Sequence, residues 1–307
     1  MYRFRSKINK ATLDSRYRTI YARAGLQRKW IREVSACPEL ANTLPAGVVP
    51  DDLLTMKYED LVDVYNGYRQ VYNGLSAARQ SALNSAASKV FTYGSYSSRI
   101  AKFLTEPKNG FEIYNCVYCD LTDARPVGNI ARQFDTEHIL DKGECPLVGL
   151  SLYNFCPACD TCNTRCKGTN PIGSTPELMK KLSPTAKQYD FENKVHFVLN
   201  PINTDAIGRI KPEHPEWYEV DFEYKDRDYE EVVTLFQLKP RYNLPQHKES
   251  ALDWRFKAKK YKGIALAFTA LIHGNTIEQE YEELFRYNAR RNAHSEKMKL
   301  MRDMLII

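Results

Sequence analysis

Apolar positions recur at helical spacing through the first 105 residues. Leu53, Leu54, Met56, Leu61, Val62, Val64 and Tyr65 keep an approximately helical rhythm, and Asp51-Asp52 supplies an acidic first turn. Together they predict a helix from residue 51 to about 72. Gly74-Leu75-Ser76 breaks the pattern, an Ala/Ser-rich stretch over 77–90 resumes it, and 95–104 is a further short helix. Pro45-Ala46-Gly47 and Val49-Pro50 mark a loop, and Asn109-Gly110 a turn. The rhythm then changes to FEIYNCVYC, which alternates like a strand or a knuckle. Residues 195–199, 217–224 and 232–238 read as short strands, and two helices, about 249–272 and 276–304, close the chain. No repeat or low-complexity tract is visible. The expected class is α+β, a mainly helical chain with a small embedded module, in three regions: 1–109, 110–175 and 176–307.

Composition narrows the class. The 307 residues are 43% hydrophobic and 27% charged, with a mean hydropathy of −0.52; this is a globular rather than a disordered pattern. The most apolar stretch, 263–272, is too short to span a bilayer. MYRFRSKINKATLDSRYR lacks the apolar segment of a secretory signal. The expectation is therefore a cytoplasmic protein with no membrane partner.

The net charge of +6 is uneven: residues 1–36 carry ten Lys/Arg against Asp14 and Glu33, whereas 213–231 holds nine carboxylates against Lys225 and Arg227. Arg255, Lys259 and Lys262 make a basic stripe at i, i+4, i+7, with Leu252, Phe256, Ala258 and Ile264 as the apolar face opposite. Such segments suit a phosphate backbone, and equally suit solvated helix faces. Tyr65, Tyr68 and Tyr72 fall where helix packing explains them better than base stacking. The apolar end from Met301 docks on its own domain or on a partner.

Seven of the eight cysteines lie between Cys116 and Cys166. Random placement gives about 0.2 Cys-x-x-Cys pairs in a chain of this composition, yet the chain has three. Each such pair can chelate one edge of a tetrahedron, so Cys116/Cys119 and Cys159/Cys162 form a four-cysteine site for structural Zn2+. Cys156/Cys159 is an alternative second half; spacing leaves the register open. Cys145 and Cys166 remain as spare thiols. Between the pairs lies Asp135-Thr136-Glu137-His138, followed by Asn154 and by Asn163 and Lys167, the last two at i, i+4 on an expected helix. In an extended strand Glu137 and His138 point to opposite faces, so both reach one site only if the strand bends.

This order and spacing, over residues 116–168, resembles the HNH or ββα-metal endonucleases. The resemblance implies a zinc-stapled module in which a β-hairpin and a helix grip one catalytic metal. His138 then stands for the general base and Glu137 and Asn163 for the ligands of Mg2+ or Mn2+. Asn154 organises the loop or orients the histidine, Lys167 contacts a phosphate or caps the helix, and Asp135 supports from behind. The implied activity is metal-dependent hydrolysis of DNA. FTYGSYSSRIAKFL before the first knuckle and Val198-Leu199-Asn200-Pro201 after the module look like the HNH proteins of Septu-type and retron-linked anti-phage systems, which implies a defence effector held by a partner ATPase. The competing readings are a zinc-stapled nucleic-acid-binding or adaptor protein without catalysis, and an RNA nuclease on the same scaffold.

Overall fold

The computed structural model describes residues 1–125, 133–261, 264–273, 276–277, 279–280 and 298–305. Helix dominates, and among the described residues the strands form two separate two-stranded antiparallel sheets. The chain divides into two compact units: Tyr2–Tyr118 with Ala124–Asp190, and Met1, Cys119–Asp123 and Phe191–Ile307.

The unit that starts at Tyr2 is built from α1 (Lys10–Arg18), α2 (Leu26–Ala36), α3 (Tyr58–Asn73), α4 (Ala77–Val90) and α5 (Ser97–Thr105). The Asn9 side chain caps α1 by accepting the Ala11 N–H at 2.8 Å. Gly25, at φ 61°, makes the left-handed turn into α2. The helix expected from residue 51 starts later. Pro50–Leu54 is a 3-10 turn, Thr55 leaves the helical region at φ −132°, and α3 begins at Tyr58. The break lets Leu53 and Leu54 bury in one direction while Tyr58, Leu61, Val62, Tyr65 and Tyr68 line the buried stripe of α3. Tyr65 and Tyr68 are core residues, and Tyr72 is half-buried.

Residues 110–119 form a knuckle rather than a strand: only Asn115 makes a bridge, and the Val117 N–H donates to the Pro157 carbonyl at 3.1 Å. Strand β1 (Asp135–His138) pairs with β2 (Phe155–Ala158) so that Glu137 faces Cys156 and His138 faces Phe155 across the ladder. A π-helix, Thr161–Lys167, follows, and α6 (Pro176–Leu182) is capped by Thr175.

The second unit holds α7 (Phe191–Lys194), then β3 (Val195–Pro201) paired with β4 (Tyr218–Tyr224), then α8 (Glu230–Leu235), α9 (Leu238–Tyr242), α10 (Pro245–Lys260), α11 (Ile264–His273) and α12 (Met298–Leu305). Val195 and Phe197 alternate inward on β3, as do Tyr218, Val220 and Phe222 on β4. The strand expected at 232–238 is helical: Val232, Val233 and Phe236 bury one helical face, and tertiary packing overrides their strand propensity. The single helix expected over 249–272 ends at Tyr261, which turns to φ −105°, ψ 26°. Of the helix expected over 276–304, α12 is seen; 278 and 281–297, like Lys262, lie outside the described residues. Phe256 is 37% exposed, not part of a buried face. Met301 and Met304 are buried where α12 packs on α10 and β3 within this unit. Lys239 meets Glu219 at 3.4 Å and Asp221 at 2.9 Å, so part of the acidic run is neutralised internally. Among the described residues no helix is long and apolar enough to cross a membrane.

Candidate functional site

The cysteine register is settled by the strand. Cys116, Cys119, Cys159 and Cys162 are all buried, and their Sγ atoms lie within 4.8 Å of one another. Four thiolates at about 2.3 Å from a central ion have sulfur–sulfur edges of about 3.8 Å, so this cluster fits a metal such as zinc with little closing movement. The Leu121 N–H approaches Cys119 Sγ at 3.5 Å, a donor that favours thiolate. Asp120, directly after the second cysteine, takes the left-handed conformation at φ 59° that turns the knuckle. Cys156 sits on β2 and its Sγ lies 3.1 Å from the Tyr118 hydroxyl, outside the cluster; burial pushes its thiol well above the ordinary range. Cys145 is a fully buried thiol pushed up to about 12 by burial, and Cys166 is half-buried.

Between the strands, Asn154 holds the connecting loop from inside. Its Oδ1 accepts the Leu140 N–H at 2.7 Å, and its Nδ2 donates to Leu140 O at 3.0 Å and Val148 O at 3.1 Å. With 0% exposure, it is a bracket for the residues on either side of the turn.

That loop presents the Gly149 carbonyl to His138, whose Nε2 lies 3.1 Å away. A carbonyl only accepts, which assigns the imidazole proton to Nε2 and leaves the lone pair on Nδ1. The ring packs edge-on against Tyr93 at 4.4 Å and Phe155 at 4.9 Å. Burial first, then the charge of Lys142, lowers the pKa from 6.5 to about 3. Lys142, exposed, has its ammonium 5.3 Å from the Tyr93 ring centre.

Glu137 leaves the opposite face of β1. Its Oε1 lies 2.8 Å from Lys167 Nζ, an ion pair with both side chains buried. The ammonium also donates to the His138 carbonyl at 3.0 Å. Glu137 Oε1 has no well-formed hydrogen bond despite its burial, and burial raises its pKa against the opposing pull of Lys167. Two residues back on the same face, Asp135 Oδ2 accepts from Asn163 Nδ2 at 3.0 Å, which leaves the amide oxygen of Asn163 available.

The structure thus joins Glu137 to Lys167 and Asn163 to Asp135, and Asn154 to the loop behind His138. Lys167 reaches the backbone carbonyl of His138, whereas the His138 imidazole is held by Gly149 O. The carboxylate and amide oxygens of Glu137, Asp135 and Asn163 are hard donors of the kind that Mg2+ or Mn2+ takes in preference to zinc, although Oε1 of Glu137 already faces the Lys167 ammonium. Lys167 is an internal counterion to Glu137, and its ammonium also reaches the Gly168 carbonyl at the helix C-terminus at 3.4 Å. The π-helix winding brings it there, with Gly168 N–H donating to Asn163 O five residues back. Sequence reasoning does not single out Tyr93, Tyr118 or Lys142, although Tyr93 lies in FTYGSYSSRIAKFL, Tyr118 in FEIYNCVYC and Lys142 within residues 116–168.

Comparison with known protein families, characterised proteins and solved structures returns no match for this chain.

Proposed function

We propose that the hairpin and π-helix form a metal-dependent nuclease site of the HNH type acting on DNA phosphodiester bonds. The observation that carries this reading is the Asn154 bracket, which fixes the loop carbonyl that orients His138. A residue spent wholly on loop geometry beside a Glu-His strand is what a pre-organised base requires.

In this reading His138 takes a proton at Nδ1 from the attacking water while Gly149 O holds Nε2–H in place. Its low pKa keeps the imidazole neutral at working pH, and an incoming phosphodiester anion raises it toward the range a base needs. Glu137 and Asn163 hold the divalent ion, and Lys142, exposed beside Tyr93, faces the phosphate. Bound there, the ion supplies Lewis-acid stabilisation of charge on the scissile phosphate.

One observation favours a second reading. Lys167 already neutralises Glu137 from within, which is how a zinc-stapled nucleic-acid-binding or adaptor protein would keep a buried acid. Incubating the purified chain with plasmid DNA, and separately with RNA, across a Mg2+ titration tests the two. Mg2+-dependent nicking of DNA supports the nuclease; cleavage of RNA alone reassigns the substrate; no cleavage of either leaves the scaffold. The partner ATPase of a defence complex is supported by the sequence likeness alone.

A further inference from the structure

On the same unit as the hairpin, α1, α5 and the turn after α5 enclose a cleft of about 420 Å3. Its walls carry Arg16, Arg99, Lys102 and Lys108 against a single carboxylate, Glu106, with Phe103 among the apolar lining. Glu106 is spent on Lys108, 3.0 Å away. Among the described residues no acid pairs with the other three cations. Arg99 lies 5.8 Å over the Tyr96 ring, and Arg16 donates to the Lys108 carbonyl. Three cations without counter-charge around an open cleft with an apolar wall suit a phosphate with its sugar. The volume matches one to two nucleotide units.

The cleft is also mechanically tied to the hairpin loop. Tyr17, next to Arg16, donates from its hydroxyl to the Leu150 carbonyl at 2.9 Å and packs edge-on against Phe103 at 5.1 Å. Leu150 follows Gly149, whose carbonyl holds His138.

We propose that this α1/α5 cleft binds the phosphodiester backbone of DNA at a site separate from the Glu137–His138 hairpin. Arg99 and Lys102 make the principal phosphate contacts, and Arg16 supports the inner wall. The identification of the ligand as a DNA strand rests on the nuclease reading; the unbalanced charge of the cleft does not.

Fluorescence anisotropy of a labelled 20-base-pair DNA, without divalent ion, tests this on the full chain. Arg99 and Lys102 are exposed, so the double reversal Arg99→Glu/Lys102→Glu leaves the fold intact, which far-UV circular dichroism checks. It is expected to weaken binding at least about tenfold and to flatten the salt dependence by about two phosphate contacts. Competition with inorganic phosphate and a mononucleotide distinguishes a strand site, resistant to both, from a small-anion pocket. Wild-type protein that fails to bind DNA, a double reversal that binds equally well with the same salt slope, or displacement of the DNA by millimolar mononucleotide overturns the proposal. A wild type that binds through these residues but never cleaves leaves the cleft standing and removes the nuclease. Cleavage with an unaffected double reversal does the opposite.

Discussion

Lys167 Nζ lies 2.8 Å from Glu137 Oε1, with side chains 1% and 5% exposed. The pair places one positive charge beside the carboxylate proposed to hold a divalent ion, so the two cations make related demands on Glu137. Breaking such a pair from one side strands a buried charge and costs about 3–5 kcal/mol. Lys167→Met is therefore expected to lower the urea midpoint strongly, and Glu137→Gln/Lys167→Met to recover most of the loss. Added Mg2+ is expected to restore part of the stability of Lys167→Met and none of the double variant's. Equal responses would remove Glu137 from the metal site.

The sulfur cluster predicts one zinc per chain, measurable by colorimetric release after thiol modification. Cys159→Ser and Cys162→Ser are expected to lose the metal and the cooperative unfolding of the unit that starts at Tyr2, because the ion binds only the folded arrangement. Cys156→Ser is expected to keep full zinc content, since its thiol faces Tyr118. Zinc loss in that variant would shift the ligand register.

Asn154→Ala removes three buried hydrogen bonds to Leu140 and Val148 at once. The stranded backbone groups predict a loss of about 2–4 kcal/mol and faster hydrogen exchange at Leu140. An unchanged exchange rate there would mean that the loop holds itself.

His138 gives stability a definite pH dependence. Its folded pKa is about 3 against 6.5 for the ordinary group, so between those values the unfolded chain takes up a proton that the native protein refuses. The stabilisation is complete above about pH 6.5 and falls with pH by about 1.4 kcal/mol per unit. Compared with wild type, His138→Phe is expected to show a slope shallower by that amount between pH 4 and 6 in magnesium-free urea titrations. Parallel slopes would place the imidazole in solvent.

Helices were legible where a break and a composition change coincided, as at Gly74-Leu75-Ser76 before α4. They were misread where periodicity ran on through a turn, as at Thr55, or where β-branched residues packed on a helix, as at Val232 and Val233. In the site, residue type and order marked Glu137, His138, Asn154 and Asn163, and strand alternation gave the opposite faces of Glu137 and His138 but not what each meets there. Strand alternation sends Glu137 toward Lys167 and His138 toward Phe155. The same alternation excludes Cys156 from the sulfur cluster, a distinction that Cys-x-x-Cys spacing cannot make. The π-helix had no signature in the sequence, yet it decides that Lys167 turns inward.

The most direct measurement is Mg2+-dependent cleavage of supercoiled plasmid by wild type and His138→Ala, with zinc content and circular dichroism recorded on the same preparations. Loss of a general base predicts a rate lower by about 10^2–10^4-fold in the variant, with zinc and fold retained. Cutting by the variant at the wild-type rate, or an intact wild type that leaves the plasmid supercoiled, contradicts it.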